Sequence, residues 1–200
     1  LTSSGRLARA LAAIDAANAG DPNTLVVRGR SRPKELAHAE LVSEWVAALC
    51  PDASEALRLA ARAHHVRRWE IPRGDFPQGR AGYHGWRRAL HAHHAAVLGA
   101  ILAREGYDAG IAARAQAIVA KRGLGRDPDV QVLEDALCLT FLETQLRDIA
   151  SRLAGDRLED VLRKTLAKMS PAAIARARAL PLDPDSRALL ERAAGSPALE

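Results

Sequence analysis

The stretch Val130-Gln-Val-Leu-Glu-Asp135-Ala-Leu-Cys-Leu-Thr-Phe-Leu-Glu-Thr-Gln-Leu146 decides how the chain is read. Val132, Asp135, Ala136, Leu139, Leu142 and Leu146 recur at helical spacing, so one face of a helix is apolar apart from a single carboxylate. A carboxylate turned inward is costly unless a positive partner meets it. Three more helical stretches carry histidine on an apolar face. His38 lies among Leu41, Val42, Trp45 and Leu49; His64-His65 ends a second helix; His94 lies among Leu90, Val97, Leu98 and Ile101. Each of these residues, taken singly, reads equally well as a hydrogen-bonded core residue. Imidazoles and a carboxylate converging inside a helical bundle make a transition-metal site.

Composition narrows the class. With 200 residues, 48% hydrophobic and 26% charged, the chain has the makeup of a globular protein of one compact domain. Cys50 and Cys138 have no CxxC spacing and read as buried thiols in a reducing compartment. No run of about 18 apolar residues is present, so no membrane span is expected. Arg9 and Asp15 interrupt the N-terminal apolar stretch, which argues against a secretory segment, and a cytoplasmic location follows as an expectation. The net charge of +5 favours anionic partners. The basic residues are dispersed and only 4% of residues are aromatic, which fits a small phosphorylated or carboxylated molecule better than nucleic acid. Arg-rich, Ala-rich helices that solvate themselves account for the charge equally well. A homodimer is left open.

The pattern predicts helices almost throughout. Leu7, Leu11 and Ile14 form one stripe, broken at residues 18–22, and the β-branched Thr24-Leu-Val-Val27 leads into Arg28-Gly-Arg-Ser-Arg-Pro33. Pro33 suits the first turn of the His38 helix, Pro51-Asp52 ends it, and Ser54 caps the next. Glu70–Gly85, rich in Gly, Pro and Arg, reads as a loop forming a lid or substrate wall over the site. Helices are expected over 86–105, 109–121, from Asp127-Pro128 onward, and over 157–168, 171–180 and 186–194.

His38, Ala63-His64-His65-Val66-Arg67 and Leu133-Glu134-Asp135-Ala136-Leu137 stand in the order and spacing of the HD-domain superfamily, and residues 32–146 resemble it. Its members carry a His on one helix, a His-Asp doublet ending another, and an Asp in a late helix. More specifically, Arg32-Pro-Lys-Glu-Leu-Ala-His-Ala-Glu-Leu-Val42, Ala63-His-His-Val-Arg-Arg-Trp-Glu-Ile-Pro-Arg73 and Leu133-Glu-Asp-Ala-Leu-Cys138 resemble an uncharacterised family, domain of unknown function 4202. Its members are sometimes labelled glutamyl-tRNA synthetase; that label lacks the strands a Rossmann-type half requires.

The resemblance implies an all-α, HD-like helical bundle in one domain over 1–200, with its core at 32–146 and helices 156–195 packed outside. It implies His38, His64, His65 and Asp135 as metal ligands. Two departures favour a single ion. The doublet is His64-His65, and imidazole cannot bridge two cations as a carboxylate can. Lys121-Arg122 stands where dinuclear members place a further His, and His91 and His94 match the remaining one.

The chemistry implied is metal-dependent hydrolysis of a nucleotide or other small phosphate ester, with one divalent Mn, Fe, Co, Ni or Zn ion. Glu70, His94 and Glu134 are the candidates for moving a proton. Arg67, Arg68, Arg73 and Lys121 are the candidates for holding phosphate. Two rival readings are an HD-like metal-dependent oxygenase and a non-catalytic ligand-binding protein with a degenerate site.

Overall fold

The computed structural model describes residues 3–150 and 155–195. Among them, helices dominate and the single sheet is a two-stranded hairpin, so the all-α class holds. No helix among the described residues is long and apolar enough to cross a membrane. The chain divides into two compact units, Leu1–Leu133 and Glu134–Glu200, with the boundary inside a helix.

The first unit opens with α1 (Ser3–Asn18). Strands β1 (Thr24–Val27) and β2 (Arg30–Pro33) then pair antiparallel, with Val27 opposite Arg30. Arg30–Pro33 has no apolar alternation, so periodicity does not predict this strand. The two-residue turn makes it: Arg28 and Gly29 both have positive φ, 51° and 77°, the geometry of the hairpin turn that matches strand twist. Pro33 accordingly precedes α2 (Lys34–Leu49) instead of lying in its first turn. Its missing N–H costs nothing there.

Helix α3 (Glu55–Ala63) is the centre of this unit and packs against α1, α2 and α5. Ala56, Leu57, Leu59, Ala60, Ala61 and Ala63 are all buried. Small residues let neighbouring backbones approach closely. Ser54 caps the helix as expected, its hydroxyl accepting from the Leu57 N–H at 3.1 Å. Arg62 ties it to α1 with two bonds to the Asp15 carboxylate, 2.6 and 2.9 Å.

Helix α4 (Gly79–Arg104) begins seven residues earlier than the sequence pattern predicts, so the expected loop Glu70–Gly85 is a shorter one. Two one-turn 3-10 helices, Arg68–Glu70 and Arg73–Asp75, organise it. One glycine of this stretch serves packing. A Cβ on Gly82 would sit 1.8 Å from the Pro77 carbonyl oxygen, so only glycine lets the first turns of α4 lie against the preceding loop. Trp86 then closes the contact, its indole N–H donating to the Ile71 carbonyl at 2.9 Å.

Helix α5 (Ala109–Val119) is capped by Asp108, whose carboxylate accepts from the Ile111 N–H at 3.0 Å. Helix α6 (Pro128–Thr144) starts where expected, with the Asp127 carboxylate accepting from the N–H of Asp129 at 3.0 Å. It ends before Leu146, which belongs instead to the short α7 (Leu146–Ala150). The second unit continues with α8 (Gly155–Leu166), α9 (Pro171–Arg178) and α10 (Pro184–Gly195). Helix α10 packs against α7, α8 and α9. Cys50 and Cys138 are both free thiols.

Candidate metal centre

The doublet His64-His65 lies in the turn that leaves α3, and its backbone is held from two sides. Arg67 adopts φ 50°, a left-handed conformation that costs a non-glycine residue about 1 kcal/mol. Its N–H donates to the side-chain oxygen of buried Asn18 at 3.1 Å. From α4, His93 Nε2 donates to the Arg67 carbonyl at 3.1 Å and His94 Nδ1 donates to the Val66 carbonyl at 2.9 Å. The strained turn is therefore fixed by α1 and α4 together.

Three imidazoles meet there. Nitrogen atoms of His38, His64 and His65 lie within 4.8 Å of one another. His38 Nδ1 is 2.9 Å from His64 Nε2. The His38 and His65 rings are stacked with centroids 5.3 Å apart, and those of His64 and His65 are 4.3 Å apart. His94 stands beside them, its ring centroid 5.7 Å from that of His65. The sequence placed these four histidines on inward faces; the structure brings their rings together.

The outer nitrogens of His64, His65 and His94 face protein acceptors. His64 Nδ1 donates to the Ala61 carbonyl at 2.8 Å, and His94 Nδ1 donates to that of Val66. A carbonyl only accepts, so in both rings Nδ1 carries the proton and Nε2 keeps its lone pair. His65 Nδ1 lies 3.1 Å from the Glu35 carboxylate, and its Nε2 lies 3.3 Å from the Arg68 guanidinium. His94 Nε2 is buried and has no hydrogen-bond partner among the described residues.

Burial, reinforced by nearby cations, keeps the rings neutral. It pushes His38 down to about 4, with Lys34 and Arg68 adding to the effect. Burial also brings His94 down to about 3 against the opposing Val66 hydrogen bond, and holds His64 well below its ordinary value. His65 is lowered by burial and then by His64 and Arg68. Neutral imidazole is the form that binds a metal.

Glu35 joins the cluster although no sequence motif marks it. It is 4% exposed in the first turn of α2, three residues before His38 and on the same helix face. Its own N–H donates to Asp21 at 2.9 Å, which anchors the turn. Burial pushes its carboxyl up to about 7, opposed by Arg68 and Lys34. An acidic residue in a first helical turn ordinarily complements the helix dipole, so no local pattern distinguishes this one.

The candidate phosphate-binding residues differ in setting. Arg68 is half-buried, lies over the Trp86 ring at 4.9 Å, and reaches both His65 and Glu35, the latter at 3.9 Å. Arg67 is exposed and pairs with Glu70 at 3.7 Å. Arg73 donates to the Phe76 carbonyl at 2.9 Å and so closes its own loop. Lys121 follows α5 with φ 55°, near enough to His64 for its charge to help depress that ring. Of the proton-moving candidates, Glu70 is exposed and 3.4 Å from His93, while His94 stands beside the cluster.

Asp135 and Glu134 belong to the second unit. Both are buried. The Asp135 carboxylate accepts from the Ser170 N–H at 2.8 Å, where Ser170 caps α9. Glu134 lies 3.9 Å from Lys168.

The chain is thus a helical protein in which three imidazoles, two of them buried, lie close enough together that they could hold a metal ion. It belongs to the family described as Domain of unknown function (DUF4202), whose profile matches residues 8–190. No curated protein and no solved structure matches it.

Proposed function

We propose that this protein is a metal-dependent phosphohydrolase of HD type, in which His38, His64 and His65 hold one divalent transition ion. The observation that carries the metal reading is the approach of His38, His64 and His65 nitrogens to within 4.8 Å of one another, with His64 Nδ1 committed to the Ala61 carbonyl. With its outer nitrogen anchored, His64 offers Nε2 alone, the arrangement found around ligating histidines. The donor set also fits. Nitrogens bonded at about 2.1 Å to one ion stand about 3.0–3.4 Å apart, close to the 2.9 Å between His38 and His64. Neutral imidazoles suit Mn, Fe, Co, Ni or Zn. Asp135 as a further ligand rests on the sequence resemblance.

A divalent ion held there would supply Lewis acidity to a water molecule and a phosphoryl oxygen. The chain's own residues do the rest. Arg68, held flat on Trp86, presents a forked donor beside the cluster and suits a phosphate oxygen. The unpaired Nε2 of His94 can accept a hydrogen bond there from a water molecule or a substrate hydroxyl, its ring held by the Val66 anchor on Nδ1. The substrate class that fits is a small phosphate monoester.

Two measurements test this. Metal titration of the full chain should give one divalent ion per chain, lost in His64→Ala. A screen of phosphorylated metabolites with added Mn, Co, Ni or Zn should then release phosphate from at least one. Two bound irons with an optical band would point to the oxygenase reading. No metal bound at all would point to a ligand-binding protein.

A further inference from the structure

We infer that Glu35 is a positioning residue, one that holds His65 as its Nδ1–H tautomer and so leaves Nε2 as the ring's accepting nitrogen. The inference deepens the metal reading above and rests on it for its consequence, though the tautomer itself is a property of the metal-free chain. Both nitrogens of His65 face a named group. Nε2 lies 3.3 Å from a guanidinium nitrogen of Arg68. A guanidinium can only donate, so Nε2 accepts and the ring proton lies on Nδ1. Nδ1–H then donates to Glu35 across 3.1 Å.

His65 needs this help more than its neighbours do. His64 and His94 are oriented by backbone carbonyls that the fold supplies without further cost. The doublet's second ring has a carboxylate in the corresponding place, brought from α2. Glu35 is itself fixed, by burial, by its N–H bond to Asp21 and by Arg68 at 3.9 Å. Carboxylate, ring and guanidinium thus form one chain of donors and acceptors with a single consistent direction. Outer partners of this kind typically change metal affinity about 10–100-fold when removed.

Long-range nitrogen–proton NMR of the metal-free, full-length chain at neutral pH reads the tautomer directly, with the His65 signals assigned by their loss in His65→Asn. The Nδ1–H pattern is expected for His65 in the wild type and in Glu35→Gln, whose amide oxygen still accepts. In Arg68→Leu, where Glu35 alone orients the ring, Nδ1–H should persist; adding Glu35→Leu should bring in the Nε2–H form and lower zinc affinity about 10–100-fold. An Nε2–H pattern in the wild type or in Arg68→Leu, or an unchanged tautomer in the double variant, overturns the inference. Should the double variant fail to fold, the wild-type and Arg68→Leu spectra still decide it. Tautomers as stated in a wild type that binds no zinc would support the positioning role and overturn the metal reading instead.

Discussion

His38 Nδ1 lies 2.9 Å from His64 Nε2, two rings brought together from α2 and from the turn after α3. Because His64 Nδ1 is already committed to Ala61, His64 Nε2 must accept, and His38 donates across the gap in the metal-free protein. Binding an ion between them requires that proton to shift to His38 Nε2, since the ligand is the neutral ring. Zinc binding should therefore turn the His38 signals in long-range nitrogen–proton NMR from the Nδ1–H to the Nε2–H pattern. An Nδ1–H pattern kept in the zinc-bound protein would contradict this. His38→Ala and His64→Ala should each abolish stoichiometric binding.

Stability should fall on mild acidification. His38 and His94 have ordinary values near 6.5 when unfolded and about 4 and 3 when folded. The unfolded chain therefore takes up protons first, so their contribution is complete above pH 6.5 and is lost as pH falls toward 4. Each such ring adds a slope of up to about 1.4 kcal/mol per pH unit. Glu35, raised to about 7, acts oppositely: its contribution is lost as pH rises from its ordinary value of 4.5 toward 7. Several imidazoles against one carboxyl leave a net loss on acidification. Urea midpoints of the metal-free protein should drop steadily from pH 6.5 to 4.5; a flat or rising profile would refute the assignment.

Arg68 and Arg73 should separate binding from folding. Arg68→Ala removes a cation beside His65 and should raise KM for a phosphate ester about 10-fold or more, with folding retained. Arg73→Ala removes a bond to the Phe76 carbonyl and should cost about 1 kcal/mol of stability, leaving KM within about 3-fold. The reverse pattern in steady-state kinetics and thermal melts would reassign the two.

Gly82→Ala should destabilise the protein by about 1–3 kcal/mol, since its Cβ would meet the Pro77 carbonyl at 1.8 Å. Gly74→Ala, with open space around it, should be nearly neutral. Thermal melts of the two variants compare them directly, and equal melting temperatures would count against the packing role of Gly82.

Asp135 has a structural task whatever else it does, as acceptor for the Ser170 N–H at the start of α9. Asp135→Ala should cost about 1–2 kcal/mol from that bond. Asp135→Asn keeps an oxygen acceptor and should restore most of the stability. Metal content of the asparagine variant then decides its second role: a full complement of ion would remove Asp135 from the ligand set.

Local sequence alone determined the helices and their caps. Ser54 and Asp127 were legible because a cap is an interaction between residues two or three apart. Inward faces were legible too, since helical periodicity says which side of a helix turns from water, and His38, His64 and His94 are indeed buried. Periodicity carries no information about what stands opposite. The hairpin strand Arg30–Pro33 depends on pairing across a turn, and the early start of α4 depends on Gly82 meeting Pro77. The role of Glu35 depends on a ring 30 residues away. Each of those is a contact between residues distant in the chain or a close approach of backbones, and only the packed tertiary structure specifies the distances that make them.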